Sequence, residues 1–403
     1  MEEIKAVIPA HKLEFDHKNF DREIEVFIKE PDAGVNADTG LFLILHAAGG
    51  YAENPYFRKL REEWADRYNV VAIGVNYLGT SNDREHPTKL SLQNPEQTVK
   101  YLDSRARAEN PEGLAALHAS GSCNWTDLLS LFPNTDLSQH VIVVDKSLPH
   151  RDEMKDYRDY GYIQTMDCLY AVKYTLDRYK INSKRIFVFG SSLGGYLAQT
   201  CAKFAPNTFS LVADNSGFPA IMQNDVFLKG RYTRIVIENK ACLFCAPQLF
   251  YESDRNSPYY FSDDMFKIRA LNDNSHLAVF KQHFKGRIVA FHAKKDQLVP
   301  YAGKLDLHEK YRKNGVNSVF YSFDTADIDG KVIISDGHGM SADLKLLFEK
   351  YCDEFALNDK KSDGVTDFDI GHKIVYSGAK SNFILDYSGG YPTIENRKIQ
   401  RKK

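Results

Sequence analysis

Long apolar runs are absent from this sequence. No uninterrupted stretch approaches the roughly 20 apolar residues that a membrane-spanning helix needs. The first residues, MEEIKAVIPAHKLEF, also lack the basic start and apolar core of a secretory signal peptide. Both absences predict a cytoplasmic protein that does not engage a membrane.

Cysteine is scarce, and neither sign of charge dominates. Six cysteines in 403 residues do not make a disulfide scaffold, and the Cys242–Cys245 pair has no second ligand pair at the spacing of a zinc site. The formal net charge is −2, with acids and bases interspersed, whereas a nucleic-acid-binding surface needs a clustered basic face. We therefore expect no metal site and no nucleic-acid partner.

What the sequence does contain is an alternation of strand-like and helix-like segments. The apolar runs LFLILHAAGG and NVVAIGVNYLGT are typical of strands buried on both faces, and the helix-like PYFRKLREEWADRY lies between them. RIFVFG, FSLVADNSG and GRIVAFHAKKD continue the pattern. The alternation predicts an α/β fold with a mostly parallel central sheet and helices on both faces.

Two stretches interrupt the alternation, residues 81–155 and residues 218–284. Both are too long for structureless loops in a compact domain, so we expect two lid-like insertions within a single domain, 1–403. Residues 360–403 have short β-like runs and glycine turns, which predict a C-terminal extension. Before that, DIDG predicts a hairpin turn that leads into KVIISDGHGM.

The stretch FVFGSSLGGYLAQT (187–200) carries the chemistry-bearing motif. A nucleophilic serine can be exposed by a tight, strained turn from strand to helix, which requires small residues two positions before and after it. Gly190 and Gly194 flank Ser192 in this way, whereas Leu193 lies two residues after Ser191. The motif therefore predicts Ser192 as the nucleophile.

Other uses of this glycine-rich turn fit less well. A dinucleotide-binding loop would need glycine at position 192, where the backbone approaches pyrophosphate. A phosphate-binding loop would need a Lys-Ser or Lys-Thr pair, which does not follow. A glycine-rich turn without chemistry stays open from the motif alone.

An acid and a base follow the serine in the order that a Ser-Asp-His triad needs. Asp296 comes directly after the strand-like GRIVAFHA, and His338 stands between two glycines in KVIISDGHGM. Each alone would usually be a solvated loop residue. The three together predict a catalytic triad of Ser192, Asp296 and His338.

Such a triad also needs two backbone N–H groups that face the developing oxyanion. We expect one from Leu193, the residue after the nucleophile, and the other from the loop HAAGGY, with Ala48 as the first choice and Ala47 as the second. His46 is expected to orient this loop by hydrogen bonding rather than to act as the base.

These motifs together resemble the α/β-hydrolase superfamily, over about residues 41–357. GSSLGGYLA and HAKKDQLVP resemble the branch of prolyl oligopeptidases and esterases. The resemblance implies an α/β-hydrolase fold with Ser192, His338 and Asp296 in the triad. Only about forty residues precede the first buried strand, where prolyl oligopeptidases carry a propeller, so peptidase activity is not expected. DYGYIQTMD, HAAGGYAENPYF and RALNDNSHLAVF resemble uncharacterised bacterial hydrolase-like proteins, some encoded near flagellar glycan genes.

The expected function is therefore that of a serine hydrolase that cleaves a carboxylic ester through an acyl-enzyme, without a cofactor. The substrate would be a small molecule or a glycan ester, with Tyr51 and Trp125 as contacts. An O-acyltransferase acting on a glycan and a non-catalytic scaffold are the alternatives. The oligomeric state stays open.

Overall fold

The structure is a computed structural model that describes most of the sequence. Described are residues 2–14, 21–80, 156–223, 226, 250–358, 360–361 and 363–399, with four strands and a few single positions in the segments between. Two compact units divide the chain. The first is Met1–Asp83, Lys155–Ile221 and Ser262–Lys403, and the second is Arg84–Met154 and Met222–Phe261.

Strands and helices are numbered along the chain. The strands are β1 (Ile4–Pro9), β2 (Glu23–Lys29), β3 (Gly40–Leu45), β4 (Val70–Asn76), β5 (Leu90–Leu92), β6 (Leu137–Lys146), β7 (Ile186–Ser191), β8 (Leu211–Asn215), β9 (Thr233–Ile237), β10 (Ala241–Ala246), β11 (Arg287–Ala293), β12 (Asn317–Phe323), β13 (Lys373–Ser377), β14 (Ser381–Asp386) and β15 (Thr393–Lys398). The helices are α1 (Pro55–Tyr68), α2 (Ile163–Arg178), α3 (Leu193–Phe204), α4 (Asp263–Arg269), α5 (Asn274–His283), α6 (Tyr301–Lys313), α7 (Leu344–Asn358) and α8 (Asp367–Ile370).

The first unit is built on an eight-stranded sheet in the order β1-β2-β4-β3-β7-β8-β11-β12. The pairs β1/β2 and β2/β4 are antiparallel, and every later pair is parallel. Because the central strands are parallel, their carboxyl ends meet at one edge, where open α/β sheets bind ligands.

Both faces of this sheet are covered. On one face Phe42 stacks on Trp64 of α1 at a ring-centroid distance of 5.0 Å and also packs against Phe348 of α7. The neighbours Leu43 and Val188 point to the opposite face and are equally buried, on the side where α3 packs against β3, β7 and β8. A mostly parallel sheet with helices on both faces confirms the α/β-hydrolase fold class predicted from the sequence.

The second unit contains a smaller sheet in the order β5-β6-β10-β9. Only the β6/β10 pair is parallel, and Cys242 and Cys245 lie in β10. The second predicted insertion, 218–284, extends into the first unit, to which helices α4 and α5 belong. That the two insertions act as lids stays a prediction.

The C-terminal residues form an antiparallel three-stranded sheet, β13-β14-β15. The hydroxyl of Tyr387 donates to the carbonyl of Phe204 at 2.9 Å, and the ring of Phe383 packs edge-on against Tyr162. The Asp264 carboxylate accepts the N–H groups of residues 379–381 in the β13–β14 turn. The extension is therefore part of the first unit and packs on the rest of it.

The predicted hairpin at DIDG is wrong, because residues 331–335 form no strand. The Asp329 carboxylate instead accepts the N–H groups of Lys331, Val332 and Ile333 at 2.7–3.0 Å, which curls the chain into a loop. The side chains of Val332 and Ile333 are buried in the core below this loop, which accounts for the apolar sequence here. Within the part of the chain that the structure describes, no helix has the length and apolarity to cross a membrane.

Candidate active site

Ser192 lies at the sharp turn between β7 and α3. Its backbone angles are φ 55° and ψ −116°, outside the regions that a residue with a side chain prefers. Such strain persists only where the surroundings enforce it, and it is concentrated at functional sites.

The glycines around Ser192 are required by close backbone contacts. A methyl group at Gly190 would overlap the backbone of Gly194, and one at Gly195 would overlap the carboxylate of Asp214. A methyl group at Gly194 would lie 2.5 Å from the carbonyl oxygens of Leu45 and His46. The loop after β3 therefore lies directly against the start of α3.

Asp296 lies three residues beyond β11 and its side chain is fully shielded from solvent. Its Oδ1 accepts the N–H groups of Leu298 and Val299, both at 2.9 Å, and its Oδ2 accepts Nδ1–H of His338 at 2.8 Å. Burial alone would raise the pKa of Asp296, but the hydrogen bonds from His338 and Val299 outweigh it and lower the pKa. Asp296 is therefore a carboxylate at neutral pH.

His338 joins Asp296 to Ser192. Its Nε2 lies 2.8 Å from the hydroxyl oxygen of Ser192, and its side chain is 23% exposed. Because Nδ1–H points at Asp296, the Nε2 lone pair faces the serine hydroxyl. The ring of Phe218, 6.5 Å from that of His338, is the nearest described aromatic neighbour.

The loop that carries His338 is held in an unusual conformation. Gly339, Met340 and Ser341 all have positive φ, at 70°, 59° and 43°. The Met340 side chain is buried in the core, and its carbonyl accepts two loop N–H groups at 2.9 and 3.1 Å. The core anchor offsets the strain of these residues and keeps the imidazole at the sheet edge.

The neighbouring serine has a different environment. The hydroxyl of Ser191 accepts a hydrogen bond from the side-chain amide of Asn215 at 3.2 Å. Of the two serines in the motif, Ser192 therefore contacts the imidazole. The structure brings Ser192, His338 and Asp296 together, and their catalytic role stays a prediction.

The predicted oxyanion donors lie next to the same turn. Leu193 is the first residue of α3, so its N–H has no acceptor within the helix. Ala47 and Ala48 lie in the loop after β3, where His46 Nδ1 contacts the carbonyl of Ala47 at 2.9 Å. The orienting role of His46 and the roles of the three donors stay predictions. The hydroxyl of Tyr77 donates to the carbonyl of His46 at 2.8 Å.

Of the two predicted substrate contacts, the structure describes only Tyr51. Tyr51 is half-buried just after the loop at Ala47–Gly50, and its carbonyl accepts the N–H of Asn54 at 3.3 Å. Trp125 lies outside the described residues. Both roles stay predictions.

Sequence reasoning missed a buried ion pair behind the site. The ammonium of Lys304 in α6 contacts the carboxylate of Asp214 at the end of β8, and neither side chain is exposed. Gln199 also donates to Asp214, and Tyr311 donates to Gln199 at 3.0 Å. Burial lowers the pKa of Lys304, although the nearby Asp214 opposes this shift. The only sequence signal was an acid at the end of an apolar strand.

Among the described residues, no three His, Cys, Asp or Glu side chains are grouped so that they could hold a metal ion.

Several solved structures are similar to this chain at low identity. A thermostable esterase is 15% identical, with 89% of this chain and 63% of that one covered and a TM-score of 0.43. An acylaminoacyl peptidase of Pyrococcus horikoshii is 12% identical, with 89% and 42% covered and a TM-score of 0.45. Esterase 2 of Thermogutta terrifontis, phosphoramylated by tabun, is 13% identical, with 87% and 93% covered and a TM-score of 0.42. The chain thus spans less than two thirds of the length of the first two proteins. Because all three TM-scores are below 0.5, these similarities do not bear on the reaction of this chain.

A comparison with curated proteins finds no match. A family model described as "Protein of unknown function (DUF2920)" matches residues 32–389, which is most of the chain. The chain belongs to this family.

Proposed function

We propose that this chain is a serine hydrolase that cleaves a carboxylic ester through a covalent acyl-enzyme. The observation that carries the proposal is the continuous hydrogen-bonded series from Asp296 through His338 to Ser192, with both side-chain contacts at 2.8 Å. Nucleophile, base and orienting carboxylate in this order are the recurring arrangement of acyl-transfer enzymes. The strained backbone at Ser192 supports the same reading.

In the proposed first step, the oxygen of Ser192 attacks the ester carbonyl carbon while its proton passes to Nε2 of His338. The buried carboxylate of Asp296 holds the ring in the required tautomer and stabilises the imidazolium. The N–H groups of Leu193 and of Ala48, or alternatively Ala47, would face the oxyanion. Loss of one such donor typically lowers turnover by about 100- to 1000-fold.

The tetrahedral intermediate then collapses, and the alcohol leaves with the proton from Nε2. Water, activated by the same imidazole, attacks the acyl-enzyme and releases the acid. Apart from the ester and water, each step uses only groups of the chain. Transfer of the acyl group to a sugar hydroxyl instead of water would be the acyltransferase alternative, and an acylated sugar or small metabolite is the proposed substrate class.

The test is a screen of p-nitrophenyl esters of increasing acyl length beside acetylated sugars, repeated with a second alcohol added. Hydrolysis by the wild type and its loss in Ser192→Ala would support the proposal. A second alcohol that captures the acyl group in place of water would favour the acyltransferase. Absence of both reactions across the screen would favour the non-catalytic scaffold.

A further inference from the structure

The dipeptide Asn215-Ser216, at the carboxyl end of β8, contacts all three segments that carry the triad. The carbonyl of Asn215 accepts the N–H of Ser192 at 2.7 Å, so the β7/β8 ladder extends to the proposed nucleophile. The N–H of Ser216 donates to the carbonyl of Phe291 at 2.9 Å, in the strand that leads to Asp296. The backbone of the dipeptide thus lies between the nucleophile's strand and the acid's strand.

The side chains of the dipeptide contact the third segment, the histidine loop. The amide nitrogen of Asn215 donates to the carbonyl of Gly339 at 3.3 Å as well as to the hydroxyl of Ser191. The hydroxyl of Ser216 accepts the N–H of Gly339 at 3.2 Å and donates to the side-chain oxygen of Asn215, also at 3.2 Å. Both amide hydrogens of Asn215 and the single hydroxyl hydrogen of Ser216 are therefore used.

The backbone conformation at position 216 is strained for a serine. Ser216 has a φ of 57° and is fully buried. Glycine would adopt this conformation without strain, so the hydroxyl supplies something that glycine could not. What it supplies in the structure is the contact with Gly339, the residue that directly follows His338.

We infer that Asn215 and Ser216 are positioning residues that hold the His338 loop against the turn at Ser192; this rests on the proposed function. Together they bind the peptide groups on both sides of Gly339, which fixes the backbone next to the imidazole. The core anchor at Met340 stays in place without them. Their loss is therefore expected to shift the imidazole rather than to unfold the loop.

The main variant is Ser216→Ala, which removes the hydroxyl alone. The matched control is Ser210→Ala at the other end of β8, where a buried hydroxyl donates to the carbonyl of Ile186 at 3.0 Å. We expect kcat for an aryl ester to fall by about 100-fold in Ser216→Ala with KM unchanged, because a displacement of about 1 Å has this effect on a reacting geometry. The free energy of unfolding should change as it does in Ser210→Ala, which keeps full kcat.

Two further variants test whether the loss of kcat comes from a folding defect and whether Ser216 acts through His338. Ser216→Gly relieves the backbone strain and should show the same loss of kcat. In a His338→Ala background, Ser216→Ala should have no further effect, because a residue that acts through the imidazole is not additive with its removal.

The inference is overturned if Ser216→Ala and Ser216→Gly keep kcat within about twofold of the wild type while Ser192→Ala is inactive. It is also overturned if the loss in Ser216→Ala persists in full when His338 is absent. Failure of the proposed function has a separate signature: either the wild type hydrolyses no ester, or Ser192→Ala hydrolyses the ester as fast as the wild type.

Discussion

Two buried carboxylates at the same edge of the sheet have opposite surroundings. Asp214 and Asp296 are both shielded from solvent. The partner of Asp214 is Lys304, which is also fully buried, whereas the partner of Asp296 is His338, which is partly exposed and contacts Ser192. A buried acid–base pair is therefore not by itself evidence of an active site.

The difference lies in where the hydrogen bonds of each pair end. Lys304 donates its other hydrogen bond to the carbonyl of Gly217 at 2.8 Å, so the ion pair ends within the protein. His338 instead contacts the hydroxyl of Ser192, which lies on a strained turn and is not part of the pair. The first arrangement holds elements together, and the second can move a proton. Each main variant below replaces one member of one of these two pairs, and each control leaves both pairs intact.

The largest effect is expected for His338→Ala. Without the imidazole nothing takes the proton of Ser192, so kcat for an aryl ester should fall by about a million-fold. Ser191→Ala is the control and should keep most of the activity, because its hydroxyl does not contact the imidazole. Equal losses in the two variants would contradict the assignment.

Asp296→Asn should lower kcat by about 10,000-fold, because an amide favours the wrong tautomer of His338. Asp336→Asn is the control, since that carboxylate lies in the histidine loop but contacts Lys295 and Thr325 near the surface. Steady-state kinetics at neutral pH would measure both. A fall in Asp336→Asn as large as that in Asp296→Asn would argue that the loop, not the acid, matters.

Lys304→Met tests the other pair through stability. Removal of one partner leaves the Asp214 charge buried, which typically costs about 3–5 kcal/mol. Lys310→Met in the same helix removes an exposed pair with Asp306 and should cost less than about 1 kcal/mol. Denaturant unfolding compares the two, and similar values would refute the structural role given to the buried pair.

The smallest expected effect is a change in the free energy of unfolding at low pH. The pKa of Asp296 is lower in the folded chain than its ordinary value, so its contribution to stability is complete above about pH 4 and is lost as the pH falls below it. The difference in unfolding free energy between the wild type and Asp296→Asn should therefore shrink from pH 5 toward pH 3. A difference that grows in this range would mean that the pKa is raised.

The fold and the proposed triad could be predicted because they have local signals. Continuous apolar runs marked the parallel strands, and glycines two residues either side of Ser192 marked the turn. Asp296 followed from its place after a strand, and His338 from chain order and its two flanking glycines. The positive φ at Ser192 belongs to a tight turn for which the flanking glycines leave room.

What could not be predicted depends on contacts between distant residues. The apolar residues Val332 and Ile333 suggested a strand. In the structure their N–H groups donate to the Asp329 carboxylate, and their side chains are buried in the core. Ser216 in FSLVADNSG has no pattern that marks a contact with Gly339. The pairing of Lys304 with Asp214, 90 residues apart, likewise has no local signal.

The most direct test of the account is the site of a covalent adduct. A fluorophosphonate should phosphonylate the wild type once, and mass spectrometry of the digested protein should place the adduct on Ser192 rather than Ser191. Ser192→Ala should remain unmodified. An unlabelled wild-type protein, or an adduct that persists in Ser192→Ala, would contradict the central claim.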